Sequence, residues 1–484
     1  MTHDGAAKRL TRRCARDPPP FLDDFDAHMT LLQRTTFALH ALVLLNIPQV
    51  SPAQDPMAGM AMGDTTRMVM SPLGVSMDRL GSGTTWIPDA VTVPSARFMT
   101  GGWDLMLHGF IFGQYNKQSG PRGGDQFGSV NWGMFMASRE VAGGRFQVRT
   151  MLSLDPATVT THGYPLLLQH GAAHDESTGG HEGHGEISDR QHPHDFWMEL
   201  GVMYERPVSD NLALSFYAAP SGEPALGPAA FMHRPSAMDN PFAPIGHHHQ
   251  DATHISFGVL TAGVFGRAWK LEGSIFNGRE PNEERWDFDE ITLDSYSGRL
   301  TVNPDSNWSM SAGYGYLASP DATSPDESIR RFTAAVLHGR KLGTEGQWAS
   351  TLVYGVNRSS SFNTVSRSVA VESEAILDRR NTILARAEFA QKSAKDLAVD
   401  LAPYGFPQER QFPVTTLSFG YIQELVRVFG ATLGLGAMGT MNRVPEDIEE
   451  VYGSRTPIAG VLFLRVRPFH RPSGMAGMHD MHRH

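Results

Sequence analysis

Histidines gather in two polar stretches. His162, His170, His174, His181, His184, His192 and His194 share one segment, where His181-Glu-Gly-His184 lies among glycines and acids and Gln191-His-Pro-His-Asp195 closes the run. His247-His-His249, followed by Asp251 and His254, makes the second. Neutral imidazoles with carboxylates beside them bind Cu(II), Zn(II) or Ni(II). The candidate ligands there are His181, His184, His192, His194, Asp195, His247, His248, His249 and His254. Thioethers gather near the two ends, in Met57-Ala-Gly-Met60-Ala-Met62 and in Met475-Ala-Gly-Met478-His479-Asp-Met481-His482-Arg-His484. Thioether with imidazole and without thiolate suits Cu(I) in an oxidising compartment. Cys14 is the only cysteine, which excludes an intrachain disulfide and thiolate metal sites. Copper, or zinc or nickel, is thus a bound ion this chain could hold, and no cofactor is required. For hydrolysis the sequence offers a base and an orienter, His192 or His194 with Asp195, but no serine in a recognisable nucleophile context.

The elements that position these residues are strands. In Arg145-Phe-Gln-Val-Arg-Thr-Met-Leu-Ser-Leu154, Phe146, Val148, Thr150, Leu152 and Leu154 point one way while Arg145, Gln147, Arg149, Met151 and Ser153 point the other. From 194 to 206, Phe196, Met198, Leu200, Val202 and Tyr204 oppose Asp195, Trp197, Glu199 and Glu205. Similar alternation recurs at 102–116, 128–138, 211–219, 252–265, 267–278, 290–302, 307–317, 330–341, 346–357, 367–377, 381–392, 413–424, 427–439 and 457–468. With the two segments above, this predicts an all-β chain of about sixteen antiparallel strands.

Short links such as Ser209-Asp-Asn211 and Asp378-Arg-Arg380 alternate with long polar ones such as 155–194, 220–251 and 393–412. A transmembrane barrel has this rhythm, with short periplasmic turns and long external loops; a Greek-key sandwich has no reason for it. The count of 49 glycines and 31 prolines, with 9% aromatic and 19% charged residues, suits many strands and turns. A net charge of −10 without a basic stripe argues against nucleic acid as a partner.

Residues 29–53 read as a signal peptide, with a positive start at Met29–Arg34, an apolar run from Phe37 to Ile47 and Ser51-Pro-Ala53 before Gln54. The expected organisation is an extended or non-native N-terminus at 1–28, the signal at 29–53, a Met-rich periplasmic segment at 54–100, an outer-membrane barrel at 101–469 and a Met/His-rich periplasmic tail at 470–484.

Over residues 100–468 this pattern resembles the porins of Gram-negative outer membranes, although Phe469, placed where their terminal aromatic falls, is followed by a tail. The Met/His-rich tails resemble segments of copper-resistance proteins, among them the outer-membrane component whose Met-rich N-terminus precedes a β-barrel. The porin resemblance implies outer-membrane lipid around the wall, an aqueous channel for small solutes or metal ions and no enzyme activity. It admits a homotrimer, and the tails admit a periplasmic metal-handling partner.

With the oily face outward, Asp104, His108, Arg145, Arg149, Glu199, Glu272, Arg299, Arg386 and Glu388 are the expected pore-lining residues, setting a modest selectivity. Loop 220–251 holds Phe231-Met-His-Arg-Pro-Ser-Ala-Met238, too apolar for a free external loop, and is expected to fold inward. Two alternatives remain at this level. One is an outer-membrane hydrolase with a rim site around His192–Asp195; the other is a secreted soluble metal-sequestering β protein.

Overall fold

The computed structural model describes residues 69–160, 162–170, 188–322, 324–361, 363–399, 407 and 409–469. Its strands run β1 (Ser95–Thr100), β2 (Trp103–Gln118), β3 (Asp125–Val141), β4 (Gly144–Leu152), β5 (Tyr164–His170), β6 (Ser188–Gln191), β7 (Trp197–Ser209), β8 (Leu212–Gly222) and β9 (Ser256–Phe265). They continue as β10 (Trp269–Phe276), β11 (Ser295–Val302), β12 (Trp308–Ala318), β13 (Ser328–Leu342), β14 (Gly346–Ser359), β15 (Val365–Ile376), β16 (Asn381–Ser393), β17 (Gln411–Val428), β18 (Ala431–Arg443) and β19 (Ile458–Pro468).

Sixteen of these close into one antiparallel barrel in chain order, β19 pairing back onto β2 from Ala459↔Gln118 to Val466↔Ile111. Among these sixteen, closure leaves no edge strand, so their backbone groups are satisfied without water, as a hydrocarbon environment demands. It also removes the soluble two-sheet reading, because the wall is a single cylinder. Strand β1 extends the wall beside β2, with Ser95↔His108 and Thr100↔Trp103, and β5 pairs with β6 in the link between β4 and β7.

Alternation sets the faces. Along β4, Arg145, Gln147, Arg149 and Met151 are buried, while Phe146, Val148, Thr150 and Leu152 face outward. The outside carries Phe127, Phe216, Leu271, Phe332, Leu352, Phe419 and Leu462, all exposed large apolar side chains. Phe419 alone is 61% exposed. A belt of this extent matches acyl chains rather than water. Trp269 and Trp308 stand at strand ends, where ring systems anchor at the interface. Phe276, at the end of β10, is by contrast fully buried inside. Among the described residues no helix is long and apolar enough to cross a membrane.

The tight ends use two-residue turns. Ala142 and Gly143 (φ 49° and 75°), and Phe429 and Gly430 (φ 50° and 81°), both hold positive φ. This is the primed geometry that follows the twist of the flanking strands. One local expectation fails at β7. Leu152 pairs with Trp197 but Met151 with Glu199, so Met198 is the extra residue of a bulge. Trp197 therefore turns outward onto Phe288 (ring centroids 5.4 Å), and Met198 is buried.

Two segments fill the inside. The first is Val69–Pro94, the described part of the stretch expected to lie free in the periplasm before β1. It folds on itself through Ile87 N–H to Arg79 O (2.8 Å) and packs within the wall. Trp86, Ile87 and Val91 are buried, each stabilising the packing by on the order of 1.5–3 kcal/mol. Inward polar groups hold its carbonyls: Asn303 Nδ2 donates to Ile87 O (3.0 Å), Ser309 Oγ to Trp86 O (3.0 Å), and Lys270 and Arg149 donate to Thr84 O and Gly83 O. Gln347 brackets Thr92, accepting from its N–H and donating to its O at 3.0 Å each.

The second is the link from Glu223 to Ile255, which folds inward as expected and is buried almost throughout. Arg234 anchors it on the far wall, with Nε and Nη2 bidentate to Glu372 (2.8 and 3.0 Å) and Nη1 to Asp251 (2.6 Å). Asp239 meets Arg465 on β19 (2.6 Å), and Ile245 N–H meets Glu388 on β16 (2.6 Å).

Candidate functional site

Two places collect chemistry-bearing side chains: the external mouth and the centre of the lumen. At the mouth, on the side of the long links, a cavity of about 420 Å³ is lined by His170, His248, His249, Glu280, Arg331 and Lys392. Below it the rings continue inward. Ring centroids of His170 and His248 lie 5.3 Å apart, His192 and His248 6.2 Å, His247 and His248 5.5 Å, His247 and His254 5.1 Å, and His254 and His194 5.6 Å. Phe231 stands against His194, His247 and His254 at 5.9–6.5 Å. The two histidine stretches, far apart in sequence, therefore form one string.

The local fold explains the string. One helical turn at His247–Gln250, and the short turn Ala252–His254, stack the second group beneath the mouth. Asp251 fixes this arrangement, since His247 Nδ1 donates to its Oδ1 (2.7 Å) and His254 Nδ1 to its carbonyl (2.9 Å). Burial lowers the pKa of His248 well below the ordinary histidine range, with His170 and His247 nearby adding to the effect. His192 is lowered by burial and then by Arg285. His249 is brought down to about 3 by burial and by Lys392. Imidazoles held neutral keep their lone pairs for a metal or a proton.

The expected pairing around 192–195 does not form. His194 Nδ1 donates to Asp155 Oδ2 (2.7 Å), and Asp195 turns to Arg285 Nη1 (3.1 Å). Burial raises Asp195 to about 6 against the opposing pull of Arg285. Each acid satisfies a different buried cation or ring, so Asp195 orients neither histidine. Among the described residues no three His, Cys, Asp or Glu side chains converge into a set able to hold a metal ion. His181, His184, Met57, Met60, Met62, Met475, Met478, His479, Met481, His482 and His484 lie outside the described residues, as does the proposed signal segment 29–53.

The residues expected to line a pore are all on the inner face and buried. Apart from Asp104, they bind the two filling segments or other inward side chains rather than standing in open water. Arg145 pairs with Glu205, Arg149 with Glu199 (3.1 Å), Arg299 with Glu272 (3.1 Å) and Arg386 with Glu372 (3.0 Å). Glu388 receives Ile245 N–H (2.6 Å), His108 meets Pro94, and Asp104 is buried on β2. The wide aqueous channel expected of a barrel this size is therefore occupied, because the inward arginines and acids bind peptide instead of water.

Sequence reasoning passed over several residues. Arg234, the anchor of the inward link, stands in an apolar run that gave no hint of its partners. His233 lies 5.3 Å from His108 between ring centroids, and its Nε2 is 3.3 Å from Met151 Sδ. The alternation already pointed Met151 inward, and that was the available signal.

The anion-selective porin from Comamonas acidovorans is similar at a TM-score of 0.43 and 9% identity, covering 76% of this chain and 100% of that one. The outer-membrane channel DcaP of Acinetobacter baumannii is similar at 0.42 and 12%, covering 77% and 99%. Salmonella typhi OmpF, in complex with daunomycin, is similar at 0.42 and 10%, covering 77% and 100%. No family model and no curated protein matches the chain.

Proposed function

We propose that this chain is an outer-membrane passage for a small solute, in which the histidine and methionine clusters handle copper or a similar transition metal. The observation that carries the reading is the string of imidazoles leading from the external cavity into the lumen of a lipid-facing barrel. Steps of 5–6 Å between single rings support transit over storage, because passage needs successive weak sites rather than one closed cage. Val69–Pro94 and Glu223–Ile255 narrow the route, so the solute is small and passage depends on what these segments do. Export by the segment 29–53, periplasmic tails that meet a metal-handling partner, and assembly as a homotrimer belong to the same proposal.

The test is flux of Cu(II) into proteoliposomes holding the full chain, followed with an internal dye. Alanine at His248 and His192 together should lower flux at least several-fold while heat-modifiable gel mobility, the mark of a folded barrel, stays unchanged. Flux no greater than in protein-free liposomes would reject the metal reading.

A further inference from the structure

We infer that the centre of the lumen holds a binding site for a soft monovalent cation, Cu(I) or its analogue Ag(I), built from His108, His233, Met151 and Met134. The inference rests on the metal reading above and gives it a second, chemically distinct location.

The strand register builds half of the site. His108 on β2 is opposite Met134 on β3, and Met134 is opposite Met151 on β4, so the three share one rung of the wall. Adjacent strands lie roughly 4.8 Å apart, and inward side chains on one rung converge in a closed wall. All three are buried, at 2%, 1% and 3% exposure. The inward link supplies the fourth group. His233, on the short turn Phe231–His233, brings Nε2 to 3.3 Å from Met151 Sδ and its ring to 5.3 Å from that of His108.

The hydrogen bonding at His108 is that of a ligand in waiting. Its Nδ1 lies 2.9 Å from Pro94 O, and a carbonyl only accepts, so Nδ1 carries the hydrogen and Nε2 the lone pair. Nε2 is buried with no hydrogen-bond partner. Metal-binding imidazoles ordinarily donate their other nitrogen to a carbonyl or carboxylate in this way, which fixes the ring and raises its basicity. A buried acceptor left unpaired costs on the order of 1–3 kcal/mol, and a bound cation would relieve that cost.

The donor set and its surroundings select the ion. Two thioethers and two imidazoles are soft to borderline ligands, suited to Cu(I) over Zn(II) or Mg(II). Trp132 packs against both rings, at 4.7 Å from His108 and 4.6 Å from His233, and Met136 and Phe110 pack nearby in the same buried cluster. This dry setting penalises a divalent ion more than a monovalent one. Arg149, the cation on β4 beside this rung, pairs with Glu199 at 3.1 Å, which offsets its charge.

The experiment titrates the full-length protein in detergent with Cu(I) against a chromogenic chelator, and compares Met151→Leu, His108→Phe and the tail variant Met475→Leu/Met478→Leu. Met151→Leu and His108→Phe should each remove one tight equivalent of Cu(I), with Zn(II) unable to compete for it, and the tail variant should retain that equivalent. Silver should replace copper one for one and quench tryptophan emission, with the quench lost in Trp132→Phe. If Met151→Leu and His108→Phe keep the wild-type Cu(I) stoichiometry and affinity while remaining folded by gel mobility, the site is rejected and the external string stands. If the wild-type chain takes up no Cu(I) at all, this site falls with it, and Cu(II) flux then decides the external string separately.

Discussion

The two sides of the lumen are built from different chemistry. Midway along β2 and β3 the inner face carries Met106, His108, Phe110, Phe112, Trp132, Met134 and Met136, joined by Met151 of β4 beyond its inward Arg145 and Arg149, a patch close to an ordinary apolar core. From β10 round to β19 it carries Lys270, Glu272, Arg299, Glu372, Arg386, Arg465 and Arg467, linked by buried ion pairs. The inward link is written to serve both. Phe231 and Met232 join the apolar cluster, and His233 faces His108, while the very next residue, Arg234, reaches across to Glu372. Apolar wall binds through area and tolerates exchange; charged wall binds through a few groups, none of which can be lost singly. The comparison implies that the charged side is the brittle one.

Breaking the charged side should have the largest effect. Arg234→Met leaves Glu372 and Asp251 facing each other without their shared guanidinium, and should lower stability by about 3–5 kcal/mol. Denaturant unfolding in detergent, with protease sensitivity of residues 223–255 alongside, measures this; a loss under about 1 kcal/mol would make the two sides equivalent. An assault on the lipid face should cost less. Phe419→Arg, near the middle of β17, should cost roughly 2–4 kcal/mol in refolding into bilayers. A null result there would place the belt in water rather than in acyl chains. The smallest effect belongs to the apolar side. Met136→Leu conserves volume and should shift stability by less than about 1.5 kcal/mol, with Cu(I) uptake unaltered. A larger loss would show that the methionine wall is as exacting as the charged one.

How much of this was legible in the sequence follows from the period of the signal. A strand repeats every two residues, so the faces of β4 and the inward set from Asp104 to Glu388 could be read directly. The bulge at Met198 could not, because one inserted residue swaps the faces of Trp197 and Met198 without changing composition. The apolar residues Phe231 to Met238 pointed to infolding, since such side chains do not stay in water. The fate of Val69–Pro94 was hidden for a different reason. Its methionines and glycines suggest a solvated tail, and only the pairing of its carbonyls with Lys270, Arg149 and Asn303 places it inside. Long-range partners of this kind leave no local trace. The histidine string was half visible: the clusters were evident, but their meeting depends on how the link Glu223–Ile255 folds across the lumen.

The wall is a membrane-spanning barrel whose bore is held narrow by its own peptide. The most direct measurement is planar-bilayer conductance of the full chain against a variant lacking residues 69–94. The account predicts small or intermittent currents for the full chain and a sustained, much larger conductance for the deletion variant. Equal conductance from the two proteins, each verified as folded, would contradict it.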